Sequence, residues 1–136
     1  MEKIRINVTI KANLETIYKA LSTEEGLSGW WAKQTTAKPE VGLLHTFTFR
    51  NFVNKMKVVE LIPNKKVFWE CVESIDEWAS TFISFEFEDK GEKTLIRFTH
   101  SSWKGMTDMF AVCTYDWAKF MTSLKSFCET GTGNPA

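Results

Sequence analysis

Two histidines, His45 and His100, and three cysteines, Cys71, Cys113 and Cys128, are the side chains best suited to proton transfer, metal binding or nucleophilic attack in this sequence. Their spacing limits what they can do. Both histidines fall on the apolar side of alternating stretches, "LHTFTF" and "IRFTH", and are expected to face inward. A metal would need a third ligand, such as Glu70 or Cys71, to converge on them, and histidines on separate strands at no motif spacing do not specify one. As a general base beside Thr81 or Ser102, His100 would need an orienting carboxylate and an oxyanion site, and the sequence offers neither. The expectation is a hydrogen-bonded histidine near a strand end, with no catalytic residue, no metal and no cofactor assigned. The cysteines are far apart, odd in number and embedded in apolar patterns rather than CxxC pairs, so they read as small buried hydrophobes.

The elements that must hold these groups follow from periodicity. Ile4, Ile6, Val8 and Ile10 alternate with Arg5, Asn7, Thr9 and Lys11, which predicts a first strand with one buried face. Asn13 then caps a short helix carrying Leu14, Ile17, Tyr18 and Leu21, with Glu15 in its first turn. "TEEGLSGWWA" predicts a second short helix opened by Thr23 and weakened by Gly26 and Gly29. The stretch up to Pro39 has no clear period and reads as a lid or long loop. Five strands are predicted near 42–50, 52–61, 66–73, 78–88 and 93–101, separated by turn signals such as "PNK" and "DKGE". Phe110, Cys113, Trp117, Phe120, Met121, Leu124, Phe127 and Cys128 step by three and four, one helical stripe ending before Gly131. The fold class is α+β: a six-stranded antiparallel sheet wrapped around a long C-terminal helix, with two short helices between strands 1 and 2. One domain over residues 1–131 and a flexible tail at 132–136 complete the organisation.

Composition narrows the function classes. The chain has 136 residues, 43% of them apolar and 14% aromatic, enough for one core. Seventeen basic residues balance seventeen acidic ones along the chain, so no field is set up for nucleic acid or an anionic membrane. No secretory signal and no run of eighteen apolar residues is found, and a cytoplasmic protein is expected.

Alternation assigns an inward face to each strand but the fourth, where Phe68 and Glu70 alternate with Val67, Trp69 and Cys71 and the side of Trp69 and Cys71 is taken as inward. The inward faces carry His45, Phe47 and Phe49, then Asn54 and Met56, then Trp69, Thr81, Ile83, Phe85, Phe98 and His100, and the long helix adds Phe110, Trp117 and Met121. Such a list, apolar with a few polar groups, suits a pocket for an apolar or aromatic small molecule. The same side chains could equally fill the interior and leave an ordinary core. Trp103, in "THSSWKG", either caps the pocket mouth or wedges beneath the helix. Trp30 and Trp31 are neighbours and must serve different surroundings. One is expected to anchor the short helices and the other to line or cover the entrance; Trp31 is taken as the anchor and is also counted among the pocket residues.

The segments "TIYKALS", "LSGWWA", "VVELIPNKKVFWE" and "WAKFMTSLKSFCETG", in this order of elements, resemble the homologues of the activator of the heat-shock-protein-90 ATPase, within the START-like (SRPBCC) superfamily. The resemblance covers residues 3–131. It implies a helix-grip fold with an apolar pocket between sheet and C-terminal helix, and members that do varied things. The eukaryotic co-chaperone is similar only through its C-terminal module. Three functions stay open: a binding protein for a small hydrophobic molecule, as monomer or homodimer; a chaperone-partner interaction module; and a cyclase- or hydrolase-type enzyme using His45 or His100. The first is preferred, because many apolar groups face inward and no catalytic constellation is assembled.

Overall fold

In the computed structural model, which describes residues 1–75 and 77–136, the chain runs as β1 (Glu2–Ile10), α1 (Leu14–Ser22), α2 (Glu24–Trp30), β2 (Gln34–Thr36), β3 (Leu44–Thr48), β4 (Val53–Ile62), β5 (Lys66–Glu73), β6 (Phe82–Asp89), β7 (Thr94–Trp103) and α3 (Asp108–Thr130). The strands form one antiparallel sheet in the order β1-β7-β6-β5-β4-β3-β2. Its inward side chains and α3 share a single apolar core. This is the α+β helix-grip arrangement, with seven strands where six were expected. The additional strand, β2, is three polar residues long and pairs only with β3. Backbone pairing alone creates it, so alternation in the sequence could not reveal it.

Caps set the helix boundaries where the sequence places them. Asn13 Oδ1 accepts from Thr16 N at 2.8 Å and Thr23 Oγ1 from Gly26 N at 3.0 Å. Thr107 Oγ1 opens α3 by accepting from Phe110 N, and Gly131 closes it at φ 86°. The glycines of α2 do more than weaken it. A Cβ on Gly26 would lie 2.5 Å from the Ala20 Cα, and one on Gly29 would lie 2.3 Å from the Phe127 ring. Small residues there let α2 press against both α1 and α3.

Two strand ends depart from simple alternation. β6 starts at Phe82 rather than residue 78, because residues 77–80 turn, with Ser80 at φ 69° and Trp78 N bonded to the Ile75 carbonyl. Near the end of β7, Ser102 at φ 70° and a register shift opposite Glu2 and Ile4 add one residue to the count. Strict period two would send Trp103 outward; the irregularity turns it inward, where it is buried.

Residues 132–136 are tied down, in contrast to the loose tail expected. Ala136 N donates to the Trp31 carbonyl at 2.8 Å, Lys33 N donates to the Ala136 carbonyl at 3.0 Å, and Asn134 N donates to Ser123 Oγ at 2.7 Å. Among the described residues no helix is long and apolar enough to cross a membrane.

Candidate functional site

Packing divides the space beneath α3 in two. Deep under the helix the interior is filled with rings. Trp117 lies 4.4 Å from Phe98 and 5.2 Å from Trp31 between ring centroids, and Trp69 lies 5.4 Å from Phe85. Phe47, Met56, Ile83 and Met121 are buried around them. These residues face inward as expected, and they form close-packed core rather than the wall of a hollow.

His100 belongs to that core. Trp117 Nε1 donates to its Nδ1 at 3.0 Å, and an indole N–H can only donate, so Nδ1 carries no proton. Its Nε2–H therefore donates to Thr81 Oγ1 at 2.8 Å, and the Thr81 hydroxyl donates to the Trp78 carbonyl at 2.6 Å. Every polar atom of this relay has a partner. Burial pushes the imidazole down to about 3, so His100 is neutral near pH 7 and both its nitrogens are engaged. This arrangement ties β7 and the β5–β6 loop to α3.

His45 is also fully buried. Its Nε2–H donates to the Lys38 carbonyl at 2.8 Å, while Nδ1 has no partner among the described residues. Burial lowers its pKa, and the Lys38 hydrogen bond only partly opposes that. Among the described residues no three His, Cys, Asp or Glu side chains converge as a metal would require. The cysteines are all free. Burial pushes the Cys71 thiol up to about 11 and the Cys128 thiol up to about 12, and raises that of Cys113, which leaves them as neutral thiols.

A pocket of ≈ 340 Å³ opens at the other end, over the N-terminal half of α3. Its walls come from the β3–β4 connection (Phe49, Phe52), β4 (Asn54), the β5–β6 loop (Ile75, Trp78) and α3 (Met109, Val112, Cys113, Asp116, Trp117, Phe120), with Trp31 behind them. Of the sixteen residues expected to line a pocket, only Trp31, Phe49, Asn54 and Trp117 do so; His45 and His100 are not on the lining. Trp103 and Phe110 pack on each other at 5.3 Å, with Trp103 wedged under the helix start.

The tryptophan pair divides its work the other way round from the expectation. Trp30 is the anchor: its Nε1 donates to the Ala20 carbonyl at 2.8 Å, its carbonyl accepts from Ser123, and its ring meets Phe85 edge-on. Trp31, the last residue of the α2 turn, reaches between Phe47, Trp69 and Trp117 and lines the pocket. Both are fully buried.

Trp78, Ile75, Met109, Val112 and Asp116 escaped the reading of the sequence. Trp78 did so because a strand through residue 78 would turn it outward, whereas the turn brings it onto Trp117 at 5.8 Å and its Nε1 donates to Cys113 Sγ. Met109, Val112, Asp116 and Phe120 form a second three-four stripe beside the main one, and that spacing was available in the sequence.

Residues 11–129 match the family described as "Activator of Hsp90 ATPase homolog 1-like protein". Among solved structures, the Aha1 dimer from Colwellia psychrerythraea is 40% identical, with a TM-score of 0.91, over 98% of this chain and 100% of that one. Protein SSP2350 from Staphylococcus saprophyticus is 16% identical, with a TM-score of 0.82, over 98% and 96%. DynU16, a protein in the dynemicin biosynthetic locus, is 16% identical, with a TM-score of 0.85, over 98% of this chain and 49% of that one. The last two show the fold alone. None of the curated proteins matches the sequence.

Proposed function

The chain belongs to the Activator of Hsp90 ATPase homolog 1-like family, and from that premise we propose that it is a binding protein for a small apolar or aromatic molecule, held at the mouth of the helix grip. One observation carries the reading: a ≈ 340 Å³ pocket whose lining, among the described residues, is apolar except for Asn54 and Asp116, set above an interior that is otherwise packed with rings. Pockets of about this size are where proteins hold small ligands, burying apolar surface and using few polar groups for orientation. Cys113 and Asp116 both border it, but burial, with Asp116 acting in the same direction, raises the thiol and keeps it protonated, so binding without covalent chemistry is the simplest activity the lining supports.

The test is a thermal-shift screen of neutral aromatic compounds, with native mass spectrometry of the purified protein to find a co-purified molecule. A ligand at a hundredfold excess over its Kd stabilises by about 2.7 kcal/mol. The shift should vanish in Val112→Trp, which fills the pocket from its rim. A broad screen with no melting shift, and no bound mass, would overturn the reading.

A second reading has its own observation. Met106, just before α3, and Val112 and Tyr115, three residues apart in its first turns, are 74%, 56% and 67% exposed, and Val112 borders the pocket. Such a patch suits a protein partner, and the family name makes the chaperone's middle domain the candidate. A pull-down in which Val112→Asp binds that domain as well as the wild type would remove this reading. The Colwellia relative is a dimer; homodimer formation by this chain is tested by sedimentation.

A further inference from the structure

The pocket contains one polar group that the rest of the molecule leaves unfinished. Asn54 sits on β4 opposite Phe47, fully buried, at a strand position where leucine or valine would pack without cost. The Ser74 hydroxyl donates to its Oδ1, which fixes the amide. Among the described residues its Nδ2 has no acceptor, and Asn54 borders the pocket. A buried amide N–H left without an acceptor is costly, so an occupant that brings one gains over an occupant that does not.

The remaining lining restricts what can carry that acceptor. Among the described residues the wall has no Lys, Arg or His, and its one ionisable group of fixed charge, Asp116, is itself an anion. A ligand carboxylate or phosphate would enter with nothing to neutralise it. The other walls are rich in rings that stack on one another: Trp31 on Trp117, Trp78 on Trp117 at 19° between planes, and Phe49 on Phe52 at 20°. An aromatic wall favours an aromatic guest, by stacking or edge contact.

We propose that the occupant is a neutral aromatic compound bearing a carbonyl oxygen, which accepts a hydrogen bond from Asn54 Nδ2. The proposal rests on the ligand-binding reading above. Ser74 is then a positioning residue, holding the amide with its donor edge toward the guest.

Acetylnaphthalene and ethylnaphthalene test it, because they share a shape and differ in the carbonyl oxygen. Kd values for both, in wild type and in Asn54→Leu, form a cycle in which the different solubilities cancel. The preference for the ketone should fall about tenfold in Asn54→Leu, as expected for one buried hydrogen bond, while the hydrocarbon binds unchanged or tighter. Independently of that variant's folding, the Asn54 side-chain NH₂ protons of nitrogen-15-labelled wild type should shift downfield on adding the ketone and not on adding the hydrocarbon. If both compounds bind, the cycle shows no coupling and the amide protons do not distinguish them, the carbonyl proposal is overturned and the pocket reading survives. If neither they nor any other neutral aromatic binds, both fall together.

Discussion

The two halves of α3 share one backbone and live in opposite surroundings. From Met121 onward the helix is clamped: Ser123 Oγ donates to the Trp30 carbonyl, Phe127 closes on Gly29, and Lys125 Nζ donates to the Thr9 carbonyl at 2.6 Å. Glu129 accepts from Lys11 N at 2.7 Å on the same side, which with Lys125 beside it holds the carboxyl below its usual range. From Asp108 to Asp116 only Cys113 is buried, and the helix overhangs the ≈ 340 Å³ pocket. One half of the helix supplies stability and the other leaves room. Close packing and an open pocket cannot occupy the same turn, so the fold separates them along the axis.

Substitutions should break the clamp and the overhang differently. Leu124→Ala, in the clamped half, should cost about 3 kcal/mol of unfolding free energy by denaturant titration, since its side chain is fully buried. An equal loss from Val112→Ala would erase the contrast. Acid acts at the junction of the halves, through His100. Its ordinary value is 6.5 and the folded value about 3, so its contribution is complete above pH 6.5 and shrinks as pH falls, because the unfolded chain takes the proton first. Stability should decline by about 1 kcal/mol per pH unit from 6.5 toward 3, and level off below. His45, also lowered, adds in the same direction. Equilibrium unfolding from pH 7 to 4.5 checks this, and a His100→Gln variant should show a shallower slope.

Gly26→Ala should cost about 2 kcal/mol, because its Cβ would meet the Ala20 and Lys19 backbone and backbone cannot move aside as a side chain can. A neutral or stabilising result would mean that the α1–α2 contact is looser than described. The smallest stability effect belongs to the overhang: Val112→Trp should change unfolding by less than about 0.5 kcal/mol while abolishing ligand-induced melting shifts. Loss of both stability and binding would show that the pocket wall is part of the core.

Much of this was legible in the sequence. The caps Asn13, Thr23 and Gly131 are read from residue type at a boundary, and the inward faces of β3, β4 and β7 from alternation; on β5 alternation leaves either face open, and packing puts Val67, Trp69 and Cys71 inside. His100 as a hydrogen-bonded histidine on an inward face followed from its place in the alternating stretch that ends the last strand. Where local pattern was absent or misleading, the reading failed. β2 has no apolar alternation, and the Ser80 turn and the irregularity at Ser102 displace Trp78 and Trp103 from the sides that counting assigns.

The sequence by itself determined the inward side of α3 and of the regular parts of most strands, because helical and strand periods are properties of the local chain. Whether the residues on those sides fill the interior or enclose a space depends on how far α3 stands from each strand, and no local period encodes that distance. Only the tertiary structure decided that rings close the middle, that Trp30 rather than Trp31 anchors α2, and that the free volume lies at the α3 start, bordered by Asn54, whose Nδ2 finds no acceptor among the described residues.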